Sequence, residues 1–205
     1  MTASKILSIA AKYIGVKEDP PDSNRVIFNT AYYGREVSGS SYPWCCVFQW
    51  YIFHEAEASE LFYGGGKTAS CTTLMNYAKK TGQFITTGYR PGDLALFNWD
   101  KLKSSAQHIG IIESVNSDGT LNTIEGNTAI GNDSNGGEVM RRVRYLPYVV
   151  GAVRPDYESE DNMTKDEAKT ILKTKAGLSD ASIQFIADDY RYGDELVIKL
   201  AQAMK

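Results

Sequence analysis

Cys45 is the side chain around which a reaction is easiest to draw. It lies in Tyr42-Pro43-Trp44-Cys45-Cys46-Val47-Phe48-Gln49-Trp50, which reads as the start of a buried helix with a thiol in its first turn. Pro43 suits the first helical position, where a missing N–H leaves nothing unsatisfied. Val47 to Phe53 continue as an apolar and aromatic run. A thiol at a helix N-terminus meets free backbone N–H groups and the positive end of the helix dipole, and both favour the thiolate. A buried, inert cysteine is the other reading, because free cysteines are commonly buried. This stretch alone leaves both open.

A thiol nucleophile needs a base, and histidine is the usual one. The chain has two histidines. His54 follows Cys45 on the same predicted helix, about 180° round the axis, and it lies about 12 Å along the axis from Cys46. It reads as a surface or core-edge residue. His108 is left. It opens a predicted strand, from which its side chain can point at a helix packed on the sheet. If Asp118-Gly119 are the two turn residues of the hairpin that follows, Ile112 faces Glu125 and Gly110 faces Asn127. The period of two then puts His108, Glu125 and Asn127 on one face, with Asn127 diagonal to His108. A carboxylate or amide bonded to one ring nitrogen fixes the tautomer and leaves the other nitrogen to the thiol. Taken singly, Glu125 reads as a solvated strand charge and Asn127 as a turn residue. As a set with a helix-start cysteine, the functional reading is preferred.

The elements that must position these residues follow from the apolar period. Residues 4–14 place Ile6, Ile9, Ala10 and Tyr13 on one helical face, ended by Gly15. An aromatic segment, Phe28 to Tyr33, precedes the cysteine helix, which is expected to run to about Ala58. Ser70 caps a helix from Cys71 to Lys80, and Cys71 reads as a plain small residue on it. Strands are then expected at 94–97, 108–115, 121–127, 139–145 and 149–153. Helices first and antiparallel strands after make an α+β domain over residues 1–155. Residues 156–162 form an acidic linker with Asp156, Glu158, Glu160 and Asp161. Residues 163–205 read as a small three-helix domain. Thr164 with Glu167 makes a capping box, the second helix runs from Ser179 to about Tyr190, and Asp194 caps the third.

Composition narrows the function. The net charge of -3 suits neither a nucleic-acid groove nor a polybasic membrane anchor. Three scattered cysteines do not make a disulfide framework. The run Ile6 to Ala11, broken by Lys12, is too short and amphipathic for a signal peptide or membrane span. The expectation is cytoplasmic synthesis without a signal peptide. Gly66-Lys67-Thr68 is not a P-loop, since Leu61 stands where the first glycine is required. No Cys/His spacing suits zinc.

Four stretches, Pro43 to Phe48, Arg90-Pro91-Gly92-Asp93-Leu94, His108 to Glu113 and Thr123 to Thr128, resemble in order and spacing the CHAP family of peptidoglycan amidases and endopeptidases. The resemblance covers about residues 4–155. It implies a papain-like fold with N-terminal helices packed on an antiparallel sheet. It also implies Cys45 as nucleophile, His108 as base, Glu125 as the group that orients it, and Asn127 as support. Cys46 stands where such proteins often carry a small apolar residue. Gln49, one turn on from Cys45, is expected to line the site. Trp44 and Trp99 are expected to wall a groove for glycan or peptide, and Trp50 to pack in the core. No cofactor is expected. Asp22, Ser23 and Asn24 offer oxygens to calcium, as in some CHAP domains, although an Asx-turn after the two prolines is preferred.

The partner implied is bacterial peptidoglycan, with neither nucleic acid nor membrane insertion. The setting implied is a phage endolysin released to the wall by a holin. The 163–205 domain would bind wall or pair two chains. An intracellular cysteine amidase or toxin is the rival enzyme, and a wall-binding or phage structural module without activity is the non-enzymatic rival.

Overall fold

A side-chain cap starts the first helix. In the computed structural model, which describes residues 1–133, 135–158, 163–189 and 193–204, Thr2 Oγ1 accepts the Lys5 N–H. Helix α1 (Ala3–Lys12) then buries Ile6, Ile9 and Ala10, the face that the sequence period predicts. Helix α2 (Ile27–Tyr33) buries Phe28 and Asn29. Helix α3 (Cys45–Glu55) begins at Cys45 rather than at Pro43, with Trp44 in the cap position. It buries eight of its eleven residues, as a helix that is apolar on all sides must. A short helix α4 (Glu60–Tyr63), which the sequence pattern did not reveal, precedes α5 (Cys71–Thr81), capped by Ser70 Oγ on the Thr73 N–H.

The rest of this unit is one antiparallel sheet of six strands. They are β1 (Phe84–Ile85), β2 (Leu94–Phe97), β3 (His108–Val115), β4 (Leu121–Thr128), β5 (Glu138–Arg144) and β6 (Val149–Val153), in the order β1-β6-β2-β3-β4-β5. The two-residue β1 was not expected. Leu94, Leu96, Ile109, Ile111 and Ile124 face the helices and join α3 in the main core. Ala95, Phe97, Ile112 and Leu121 face the other way and form a second, smaller cluster with Tyr89 and Trp99 packed on it. Helices packed on an antiparallel sheet make this an α+β fold, as the sequence pattern predicts.

The β3–β4 hairpin departs from the predicted register in two places. Asn116 N–H bonds Thr120 O, so the loop holds three residues, Ser117 to Gly119, rather than two. A bulge at Glu113 then shifts the pairing again, giving Ile112↔Thr123 and Ile111↔Ile124. Each step moves the register by one residue, which flips every side chain. Two steps restore the original face. Glu125 therefore stays on the His108 face but stands opposite Gly110 instead of Ile112. A Cβ on residue 110 would lie 2.5 Å from Glu125 Cγ, so only glycine leaves room for that carboxylate.

Contacts divide the chain into two units, residues 1–158 and 159–205. The second has its own core of Met163, Ala168, Leu172, Ile183, Val197 and Ala201. Its helices are α6 (Lys165–Ala176), α7 (Asp180–Asp189) and α8 (Gly193–Gln202). Thr164 and Glu167 form the reciprocal capping box. Helix α8 starts at Gly193, one residue before the expected cap Asp194, whose carboxylate pairs with Lys165 at 2.6 Å. Residues 159–162 of the expected linker, and the expected helix end at Tyr190, lie outside the described residues.

Candidate active site

Cys45 occupies the first residue of α3, and the first backbone bond of that helix runs from Phe48 N–H to Trp44 O. The N–H groups of Cys45, Cys46 and Val47 precede that bond, and Trp44 supplies no side-chain cap. Helix α3 lies against β3 and β4. A Cβ on Gly126 would lie 2.6 Å from Phe48 Cβ, so the missing side chain there is what lets the helix approach β4.

His108 opens β3 and is fully buried. The sequence reading had it point from the sheet into the helix layer. The structure assigns that direction to Ile109 and Ile111, while His108 shares the opposite face with Phe97 and Ile112. Cys45 at the start of α3 still interacts with it. Its Nε2 lies 2.8 Å from Glu125 Oε2. Its Nδ1 has no hydrogen-bond partner and is the nitrogen left for the Cys45 thiol, with which the ring interacts. Glu125 is fully buried, and each of its oxygens has two partners. Oε1 accepts from Arg144 Nε at 2.7 Å and from Thr123 Oγ1 at 2.5 Å. Oε2 meets Arg144 Nη2 at 2.5 Å as well as His108.

These contacts set the charges. Burial opposes ionisation of Glu125, but Arg144 and His108 outweigh it and hold the carboxyl well below its usual range. Burial opposes the imidazolium of His108, but the Cys45 thiol and Glu125 outweigh it and raise the ring. A hydrogen bond with Cys71, and then burial, push the Cys45 thiol well above its ordinary value, while His108 pulls it down. The surroundings thus favour the charged form of His108 and oppose ionisation of the Cys45 thiol.

The other expected site residues divide. Trp99, expected to wall a groove, is half-buried with its ring centroid 6.0 Å from that of His108. Asn98, fully buried, holds its loop by accepting from the Asp100 and Leu102 N–H groups. Trp44 cannot wall an open groove. It is fully buried, and its Nε1 donates to Glu18 Oε1 at 2.7 Å. Gln49 is fully buried too, and its amide donates to Ile124 O of β4 at 3.3 Å, so it anchors the helix to the sheet rather than lining a cleft. Asn127 is buried with a left-handed backbone (φ 58°), and its amide donates to Asn135 Oδ1 at 3.1 Å, not to His108. That backbone interrupts the alternation within β4, where the pairing with β5 shifts between Glu125 and Thr128. Trp50 is nearly buried and stacks on the exposed His54, which is far from the thiol as its angle on the helix requires.

Two residues of the site were not found in the sequence. Cys71, read as a plain helical residue, places its sulfur 3.7 Å from Cys45 Sγ. Thr72 beside it exchanges hydrogen bonds with Ala106, two residues before His108. Arg144 is the other. The run Arg141-Arg142-Val143-Arg144 carries no alternation that marks which arginine is buried. Near Asp22, Ser23 Oγ donates to Pro20 O and accepts from Arg25 N–H, a turn closed by serine rather than by Asp22. No group of three or more His, Cys, Asp or Glu placed to hold a metal occurs among the described residues. Nor is any described helix long and apolar enough to cross a membrane.

Residues 37–127, which contain Cys45, His108, Glu125 and Asn127, match the family model of the CHAP domain. The match is narrower than the 4–155 span of the motif resemblance. No curated protein matches the chain. Among solved structures it is similar to the crystal structure of Ly7917, with 15% identity and a TM-score of 0.47, over 76% of this chain and 62% of that one. It is also similar to Ly7917 with the hydrolyzing product of MDP, with 15% identity and a TM-score of 0.45, over 75% and 63%. The chain spans less than two thirds of the length of those structures.

Proposed function

We propose that this chain, which carries a CHAP domain over residues 37–127, is a cysteine hydrolase that cuts an amide bond of bacterial peptidoglycan. One observation carries the reading. Inside the matched segment, a helix-start thiol interacts with a histidine whose far nitrogen is held by a buried carboxylate. Nucleophile, base and orienting group stand in the order that acyl transfer needs.

The chemistry follows from the geometry. The Cys45 sulfur attacks the amide carbonyl, and the carbonyl electrons move to oxygen. N–H groups at the start of α3 are the donors at hand for that oxyanion. The His108 imidazolium gives its proton to the leaving nitrogen, the C–N bond breaks, and a thioester remains. A water then attacks the thioester while neutral His108 takes its proton, releasing a carboxylate and restoring the thiol. Glu125 keeps the ring turned so that Nδ1 faces the sulfur throughout. The bond cut is that of an N-acetylmuramoyl-L-alanine amidase or of a peptide endopeptidase. An endolysin-like setting, with residues 163–205 as a wall-binding unit, goes with this reading.

The test is to mix the purified chain with isolated cell walls of several chemotypes and follow turbidity and released fragments by mass spectrometry. Clearing that Cys45→Ala removes and Cys46→Ala keeps is the expected result, and the new termini identify the bond. No fragments from any wall would overturn the reading. Loss with Cys46→Ala alone would move the nucleophile by one residue.

A further inference from the structure

Arg144 ends β5, paired in register with Leu121, four residues along β4 from Glu125. Its side chain reaches back along the strand under the site. Nε and Nη2 bracket the Glu125 carboxylate at 2.7 and 2.5 Å. Nη1 donates to Asp133 Oδ1 at 2.7 Å, and Asp133 is held in turn by Arg142. The guanidinium lies over the rings of Trp99 and Phe97, 5.0 and 5.6 Å from their centroids. The residue is only 5% exposed. A buried arginine with both faces of its fork occupied and its plane stacked is held in one orientation.

We infer that Arg144 is a positioning residue that clamps Glu125 in the one rotation that aims His108 Nδ1 at the Cys45 thiol. The inference rests on the proposed cysteine chemistry for its kinetic arm only. A carboxylate bound by a two-pronged fork cannot turn about its last bond. A carboxylate bound by His108 and Thr123 alone can. Turning it would release Nε2 and with it the choice of ring tautomer. The groups facing the pair are Cys45 on α3 with Cys71 on α5 behind it, Arg144 on β5, and Asp133 beyond Arg144 in the β4–β5 connection. Arg144 is the only one of these that touches both carboxylate oxygens.

The charge and the fork are separable. Arg144→Met removes both, and Arg144→Lys returns the charge without the fork. With Arg144→Met, kcat on cell walls should fall by roughly 10- to 100-fold at unchanged KM, the scale of a misplaced reacting group. The acid limb of kcat/KM should move to higher pH, because Glu125 is then held down less and takes a proton sooner. Arg144→Lys should return the limb and leave kcat low. Nitrogen-15 NMR of the imidazoles reads the same clamp without substrate. The chain has two histidines, so His54→Gln assigns the His108 signals. Through a pH titration, the wild type should show one tautomer, protonated at Nε2, and Arg144→Met a mixture. A folded Arg144→Met with wild-type kcat, limb and His108 signals would overturn the clamp. If that variant does not fold, Arg144→Lys decides, and wild-type kcat and signals there overturn it equally. If the wild type cuts no wall, the proposed function falls, and the His108 signals still decide the clamp.

Discussion

Two helices of this protein begin with a cysteine, and both thiols are nearly buried and 3.7 Å apart. They share a helix start, a depth and a neighbourhood, yet only Cys45 has the partners that the proposed chemistry needs. Helix α5 is capped in the ordinary way, Ser70 Oγ taking the Thr73 N–H. Helix α3 has no side-chain cap, and its thiol interacts with a histidine backed by a buried carboxylate. A helix N-terminus lowers the cost of a thiolate by a modest amount. Burial and a neighbouring thiol take more than that away. The difference lies in the histidine, and His108 comes from a strand more than sixty residues later in the chain.

The largest effect should come from exchanging the two thiols for alanine. Cys45→Ala should lower wall hydrolysis by roughly 10⁴-fold or more, as loss of a nucleophile does, while Cys71→Ala keeps turnover. The reverse outcome would mean that the unequipped helix carries the chemistry. Next is Glu125→Gln, which keeps the shape and removes the charge. It should cost about 10²-fold or more in kcat by loosening the tautomer. It should also lower stability in denaturant unfolding, because Arg144 loses its buried carboxylate and keeps Asp133 as its charged partner.

Cys71→Ala should show a subtler change in pH dependence. The hydrogen bond with Cys71 raises the Cys45 thiol. Removing it lets the thiol ionise at lower pH, so the acid limb of kcat/KM should move to lower pH. An unmoved limb would remove Cys71 from the site. The smallest effect is that of Ser70→Ala, which should cost about 1 kcal/mol of stability and leave turnover alone. A loss of turnover there would show that the α5 cap serves the chemistry as well as the helix.

Much of the arrangement could be read without a structure because it depends on short-range rules. The period of apolar residues located α1, α3, α5 and five strands to within a few positions. The angle between Cys45 and His54 on one helix left His108 as the candidate base. The pairing of His108 with Glu125 also came through, although the assumed two-residue turn was wrong. A three-residue loop and a bulge at Glu113 each shifted the register by one, and alternation depends only on whether the total shift is odd or even. Asn127 did not survive the same reasoning, because its left-handed backbone ends the alternation that the argument assumed. Trp44 and Gln49 were placed by proximity in sequence to Cys45. Neighbours on a buried helix point in all directions, and these two point into the core.

The sequence by itself determined which residue types were available and which of them share a face of one element. These are properties of backbone periodicity over a few residues. It therefore carried the thiol at a helix start, the histidine at a strand start and the carboxylate on the same face. Only the tertiary structure decided what surrounds them. Cys71 against Cys45 and Arg144 against Glu125 are contacts between elements 26 and 19 residues apart. No local period encodes such a meeting. It is set by how α3 and α5 converge and by how far an arginine can reach along a strand. Those contacts raise the thiol and hold the carboxylate ionised, because in a buried site a charge or a hydrogen bond acts with little water to screen it.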